Sequence, residues 1–363
     1  MGRGMRMGEN SLTSDMFVKV RESVRVLRRT CAPPELRRAL PGTMWGLTTF
    51  FNPCRYKTKL RNYKAFRAAS KRQGLRLCAV ELAFDEAPFE LTRGDADELI
   101  QVRGTHRHLL WQKERLLNLG LAALPKNCDK VAWLDADVLF ESPGWVRETS
   151  ELLERYPVVQ PYAEVIKLPR GVSHPHDLRR GQASIAARTQ RSRGWWYGAL
   201  TGPAYFVLDL GHTGYAWAAR RRLFDKVGFY DRLLSGRGDK FMANAFYGYW
   251  DIEYDLMVSA PLRRDLKRWF EPMAAKVRGS VYFTPGTLFH LWHGNPRDRQ
   301  YRNQELLLKQ FGFDPRRDLQ LDTNGCWAWK SRNPELREQI GLHFSMRRED
   351  GRRHPARTSL PNR

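Results

Sequence analysis

Residues 131–140 read Val-Ala-Trp-Leu-Asp-Ala-Asp-Val-Leu-Phe, and this stretch decides the fold class. Val131 to Leu134 are apolar and suited to a strand buried on both faces. Asp135 and Asp137 follow, one residue apart. In open α/β sheets, ligands bind in the crevice beyond the carboxyl ends of the strands. Two carboxylates placed there without a counter-ion would be costly to desolvate. A hard divalent cation such as Mg2+ or Mn2+ removes that cost, because it takes oxygen ligands and bridges to a diphosphate. The stretch therefore predicts a buried sheet with a metal site at its edge.

Outward from this point the chain alternates. Met44 to Phe51 is an apolar run stopped by Asn52-Pro53, and Tyr56 to Arg72 has the spacing of a basic amphipathic helix. Leu75 to Phe84 reads as a second strand, and Leu109 to Leu124 as a helix ended by Pro125. Residues 131–140 read as one strand running into a loop. A helix over Trp145 to Tyr156 and a short strand over Val158 to Tyr162 complete the pattern. Strands alternating with helices predict an α/β domain with a largely parallel sheet.

Residues 167–194 break the alternation. They are rich in Arg, Gly, His and Ser, with Asp177 their single acid, and they read as a long loop. Trp217 to Val227 reads as a basic helix. Five segments result: a basic extension over 1–42 with an amphipathic helix from Asp15 to about Thr30, a first half of the domain over 43–165, a second half over 166–300, a helical segment over 301–346, and a disordered tail over 347–363.

Lys and Arg number 62 against 39 Asp and Glu, a formal net charge of +23. Such a surface attracts polyanions, whether nucleic acid, anionic glycan or an acidic membrane face, unless the charges are merely solvated. The basic helix after Asp15 either packs its apolar face on the domain or rests on an anionic membrane. No apolar run approaches the roughly 20 residues of a spanning helix, and the first residues carry no apolar core of a secretory signal. Cys31, Cys54, Cys78, Cys128 and Cys326 are scattered without a CxxC, which suggests neither a zinc site nor a disulfide framework. A cytoplasmic setting, with peripheral contact at the inner membrane face, is the expected location.

The segment Trp111-Gln112-Lys113-Glu114-Arg115-Leu116-Leu117-Asn118-Leu119-Gly120 shortly precedes Asp135-Ala136-Asp137. This arrangement resembles the β-1,4-galactosyltransferase and chondroitin-polymerase group of GT-A enzymes, in which an L-L-N-x-G helix precedes a DxD strand. The resemblance spans roughly Thr43 to Tyr301. It implies a GT-A, Rossmann-like nucleotide-diphospho-sugar transferase: a single catalytic domain with helical N- and C-terminal extensions. By the same resemblance Lys113, and with it Arg115, faces the donor diphosphate. Thr49, Phe51, Asn52 and Arg55 lie where the loop after the first strand holds base and ribose, and Glu81 lies where an acid reads them.

Downstream, Val227-Gly228-Phe229-Tyr230-Asp231 and Ser235-Gly236-Arg237-Gly238-Asp239 resemble the group's N-G-F segment and its glycine-rich loop ending in an acid. Glycines let the backbone approach a sugar closely. Asp239 is then the expected general base, taking the proton of the acceptor hydroxyl. Lys240 stands where relatives often carry a second acid. Gly202, with Pro203 to Tyr205, and Trp217 are expected to line the sugar pocket. In Leu288-Phe289-His290-Leu291-Trp292-His293-Gly294, His293 is the expected late histidine ligand beside Asp137 and Asp135, with His290 in reserve.

The reading that follows is an inverting, metal-dependent transfer of a hexose or N-acetylhexosamine from a UDP-sugar to a glycan or glycoconjugate, with Mn2+ or Mg2+ as cofactor. The charge motivates an alternative with nucleic acid as acceptor. A third reading is a non-catalytic nucleic-acid- or membrane-binding relative. The sugar, the linkage and the oligomeric state are not legible from spacing.

Overall fold

The computed structural model describes residues 38–172, 181–191, 211–234, 236–250, 254, 258–299, 301–330 and 333–351, with backbone alone for 301–305. The N-terminal helix after Asp15, the segment containing Gly202 and Tyr205, and the tail beyond residue 351 lie outside the described residues.

The expected α/β class is what the structure shows. Strand β1 (Thr43–Phe51) is followed by helix α1 (Lys57–Arg72), β2 (Arg76–Phe84), β3 (Glu98–Gly104), α2 (Lys113–Ala123) and β4 (Cys128–Leu134). β5 (Val138–Phe140), α3 (Trp145–Leu152), β6 (Val158–Gln160), β7 (Glu164–Lys167), β8 (Gln182–Ala183) and α4 (Ile185–Arg191) come next. The later part holds β9 (Ala216–Arg220), α5 (Gly238–Tyr247), α6 (Ala260–Val277), β10 (Val281–Phe283), β11 (Thr287–His290) and α7 (Tyr301–Gln310). The hairpin β12 (Leu319–Leu321) and β13 (Trp327–Trp329) precedes α8 (Pro334–Met346).

Seven strands form the main sheet in the order β10-β6-β9-β4-β1-β2-β3. β3, β2, β1 and β4 run parallel, whereas β9 is antiparallel to both β4 and β6. The sheet is thus mixed rather than largely parallel. A second sheet has the order β5-β11-β7-β8. β4 is buried along almost its whole length, as an inner strand of apolar residues must be.

The sequence reading also differs from the structure at four stretches before residue 230. Residues 131–140 are two strands, not one: β4 ends at Leu134 and β5 starts at Val138 in the other sheet. β3 was not foreseen, because its Glu98, Gln101 and Arg103 give it the look of an exposed loop. The expected loop over 167–194 contains β8 and α4, and α4 is held by Ala186 N donating to Gln160 Oε1 at 3.0 Å. The expected helix over Trp217 to Val227 begins as strand β9. Alanine's helix preference is worth only tenths of a kcal/mol per residue, and two flanking ladders outweigh it.

That last difference relocates Trp217. It is 1% exposed, its Nε1 donates to Thr213 O at 2.7 Å, and its ring meets Phe246 edge-on at 5.5 Å. It is paired across the sheet with Trp133, whose ring packs on Phe224 and Phe229. Trp217 therefore belongs to the core and lines no sugar pocket. Trp217→Ala is expected to lower stability by about 3–5 kcal/mol, read from urea denaturation, while metal binding by the folded fraction stays at the wild-type level.

Candidate metal centre

The chain leaves β4 through three residues whose backbone is fixed from both sides. Thr48 Oγ1 donates to Leu134 O at 2.9 Å, and Asp135 N donates to Tyr215 O at 2.8 Å. Asp137 O then accepts from Leu291 N at 2.8 Å. Val138 pairs with His290 in the antiparallel β5–β11 ladder. The second sheet thereby carries His290, and three residues later His293, to the carboxylate of Asp137.

These three side chains form a ligand cluster, with one donor atom from each lying within 4.8 Å of the others. His293 Nε2 is 3.1 Å from Asp137 Oδ2 and 2.9 Å from His290 Nε2, and His290 Nε2 is 3.7 Å from Asp137 Oδ1. Among the described residues Asp137 Oδ1 is buried without a hydrogen-bond partner, an oxygen that a cation would satisfy. Burial pushes His290 down to about 3 and lowers His293 as well, so both rings are neutral and their lone pairs can ligate. Burial raises Asp137, with His293 opposing that shift. One carboxylate and two imidazoles fit a divalent transition ion such as Mn2+ better than Mg2+, which favours oxygen ligands throughout. Both histidines belong to this cluster, where the sequence pattern favours His293 with His290 in reserve.

Asp135 lies outside that cluster. Its Oδ1 accepts from Lys113 Nζ at 2.5 Å. Burial works against ionised Asp135, but the lysine holds it below the usual carboxylate value. Lys113 is itself raised, because Asp135, Asp239 and Glu114 outweigh its desolvation. Asp239 sits in the first turn of α5, and its carboxylate rests against Gly214. Burial raises its pKa, with Lys113 opposing. A Cβ at Gly238 would meet the Glu114 carboxylate, so the glycine lets the loop seat against that side chain on α2 without displacing it.

Lys113, Asp135, Asp137, Asp239, His290 and His293 line one open crevice at the carboxyl ends of β1 and β4. Of the expected site residues, Thr49, Phe51, Lys113, Asp135, Asp137, Asp239, His290 and His293 all reach it. Asn52, Arg55 and Glu81 do not. Asn52 holds the turn, accepting from Tyr56 N at 2.9 Å and donating to Glu90. Arg55 is an exposed residue with φ 52° whose guanidinium reaches Pro88 O. Glu81 is 1% exposed and accepts from Glu90 N at 2.5 Å, Leu91 N at 3.2 Å and Gln101 Nε2 at 2.9 Å, so it ties down a loop. Arg115 donates to Gly325 O and Asp231, away from the crevice.

Other residues of the crevice escaped the sequence reading. Lys59 comes from α1, Arg299 follows the histidines, and Trp111 stands before α2. Arg347 and Glu349 come from the stretch expected to be a disordered tail; both are buried, at 8% and 2% exposure. A run of charges reads as a solvated end, and nothing local in Arg347 to Asp350 signals otherwise.

No protein-family model and no curated protein matches the chain. Among solved structures, it is similar to a mannosyltransferase from Pyrobaculum calidifontis in complex with GDP-Man and Mn2+, at 15% identity and a TM-score of 0.42, covering 82% of this chain and 72% of that one. It is also similar to glucosyl-3-phosphoglycerate synthase from Mycobacterium tuberculosis in complex with Mn2+, UDP and glucosyl-3-phosphoglycerate, at 13% identity and a TM-score of 0.39, covering 84% and 85%.

Glu114 supplies a pH test of this charge arrangement. Burial pushes it up to about 7 from an ordinary 4.5, against Lys113. The folded state thus holds a proton that the unfolded state has released, so this group takes stability away as pH climbs between those two values and nothing further above them. Glu114→Gln removes the effect. Its stability relative to wild type is expected to rise between about pH 4.5 and about pH 7 in urea denaturation and to level off above that; a pH-independent difference would contradict the assignment.

Proposed function

We propose that the chain is a metal-dependent glycosyltransferase of the GT-A kind that draws on a nucleotide-sugar donor. The observation that carries this reading is the convergence of Asp137, His290 and His293 at the end of β4, inside a crevice that also holds Lys113 and Asp239. A bound ion there would act as a Lewis acid on the departing nucleoside diphosphate. Lys59, Lys113, Arg299 and Arg347 line the same crevice and supply cationic groups for the phosphates. Phe51 and Trp111, edge to face at 5.5 Å, give the crevice an aromatic wall that suits a nucleobase, and among the described residues Trp111 Nε1 is a buried donor without a hydrogen-bond partner; Thr49 lines the same crevice.

Asp135, steadied by Lys113, is positioned to accept from a donor hydroxyl. Asp239 is the proton acceptor for the incoming acceptor hydroxyl. Its raised pKa brings it closer to neutrality, where a base works best. With Asp239 as the base, the resemblance implies a single displacement with inversion. A UDP-sugar, galactose or an N-acetylhexosamine first, and a glycan or glycoconjugate acceptor, rest on the resemblance carried by Lys113 to Gly120 and Gly236 to Asp239. Where that group often has a second consecutive acid, this chain has Lys240, and the additional buried carboxylate at the loop comes from Glu114 on α2.

Nucleotide sugars screened by thermal shift with and without Mn2+ test the reading. The right donor at about 100 times its Kd is expected to add about 2.7 kcal/mol of stability. Asp137→Asn should remove the Mn2+-dependent part of that gain. Asp239→Asn should keep it and lose turnover by about 10²–10⁴-fold. Failure of every nucleotide sugar to stabilise the protein with metal present would sink the proposal.

A further inference from the structure

The residues after α8 fold back over the metal centre and are clamped there. The Asp350 carboxylate accepts from Lys57 N at 3.1 Å and Thr58 N at 2.8 Å, so it serves the free amides at the start of α1. Tyr56 OH donates to Phe344 O at 2.9 Å, which fixes the end of α8 against the same place. Gly294, directly after His293, has φ 92°. A Cβ on it would stand 3.0 Å from Arg347 O, Arg348 O and Glu349 Cα. Backbone conformation and lack of space both require glycine there, and its absence of a side chain lets the returning segment lie on the metal loop.

Inside this clamp Glu349 is 2% exposed. Its Oε1 accepts from Arg347 Nε at 2.6 Å and stands 3.7 Å from His293 Nδ1. Lys59 is the other cation that faces it. A buried ion pair could be structural alone. What sets this one apart is its place on the Nδ1 side of a ring whose Nε2 belongs to the ligand cluster. An imidazole that ligates through Nε2 keeps its proton on Nδ1, and that N–H needs an acceptor. Arg299 Nη2 lies against both ring nitrogens of His293, 3.0 Å from Nδ1 and closer to Nε2, but it has only donors and can accept from neither; Glu349 is the acceptor on the Nδ1 side, a small side-chain shift away.

We infer that Glu349 is a positioning residue of the metal centre: its carboxylate accepts a hydrogen bond from the Nδ1–H of His293, which leaves the Nε2 lone pair for the ion and makes the site depend on the C-terminal segment. This rests on the metal reading of Asp137, His290 and His293. The full chain is titrated with Mn2+ alone, free ion being followed by electron paramagnetic resonance, in wild type, Asp137→Asn, Glu349→Gln and Glu349→Asp. Wild type should bind, Asp137→Asn should not, Glu349→Gln should weaken binding about 10–100-fold, and Glu349→Asp should recover part of the loss. ¹⁵N-histidine spectra of the Zn2+-loaded wild type supply a readout that needs no variant at Glu349; there His293 should be protonated on Nδ1 and ligated through Nε2. Wild-type Mn2+ affinity in a folded Glu349→Gln, or an unprotonated His293 Nδ1 in the loaded wild type, overturns the inference and leaves the metal site standing. A wild type that binds no Mn2+ overturns both.

Discussion

The site depends on the handover of the chain from one sheet to the other. β4 ends at Leu134 in the middle of the main sheet, and Val138 enters the second sheet against His290. The residues between cannot pair with either ladder in full, so their backbone is satisfied by Tyr215 O and Leu291 N. A backbone held at both ends leaves the side chains of Asp135 and Asp137 little choice of direction. The same ladder that fixes Asp137 fixes His290, so a carboxylate and an imidazole more than a hundred residues apart in the chain meet through one strand register. A slip of that register by one residue would turn His290 to the opposite face.

How much of this was legible follows from what each stretch had to signal. β1, α1, β2 and α2 were readable because apolar spacing and punctuation by Asn52-Pro53 and Pro125 agree. The break between β4 and β5 was not, since the three residues joining them include neither glycine nor proline. β9 was masked by Ala216, Ala218 and Ala219, residues that favour helix until a sheet claims them on both sides. At the site, Asp137 and the histidines were visible because few other roles suit a carboxylate at a strand end or paired histidines before a glycine. Glu81 and Asn52 misled for the opposite reason. A buried polar side chain in a strand or turn more often satisfies loop amides than a ligand, and only the coordinates show the amides of Glu90 and Leu91. Arg347 and Glu349 gave no local sign, because their role comes from where α8 delivers the chain.

Among the described residues the charged groups in the crevice pair off in number. Lys59, Lys113, Arg299 and Arg347 face Asp135, Asp137, Asp239 and Glu349. The overall charge of +23 therefore says little about the site. Opposed charges in a partly dry cleft stabilise only while the pairing stays complete, and removing one partner leaves the other buried and unpaired. A divalent cation arriving alone upsets that balance, and so does a nucleoside-diphosphate sugar arriving alone. Together, the cation and the doubly charged diphosphate leave the sum unchanged. The arrangement of the four cations and four carboxylates thus favours joint occupation by metal and donor, a coupling that by linkage acts equally in both directions.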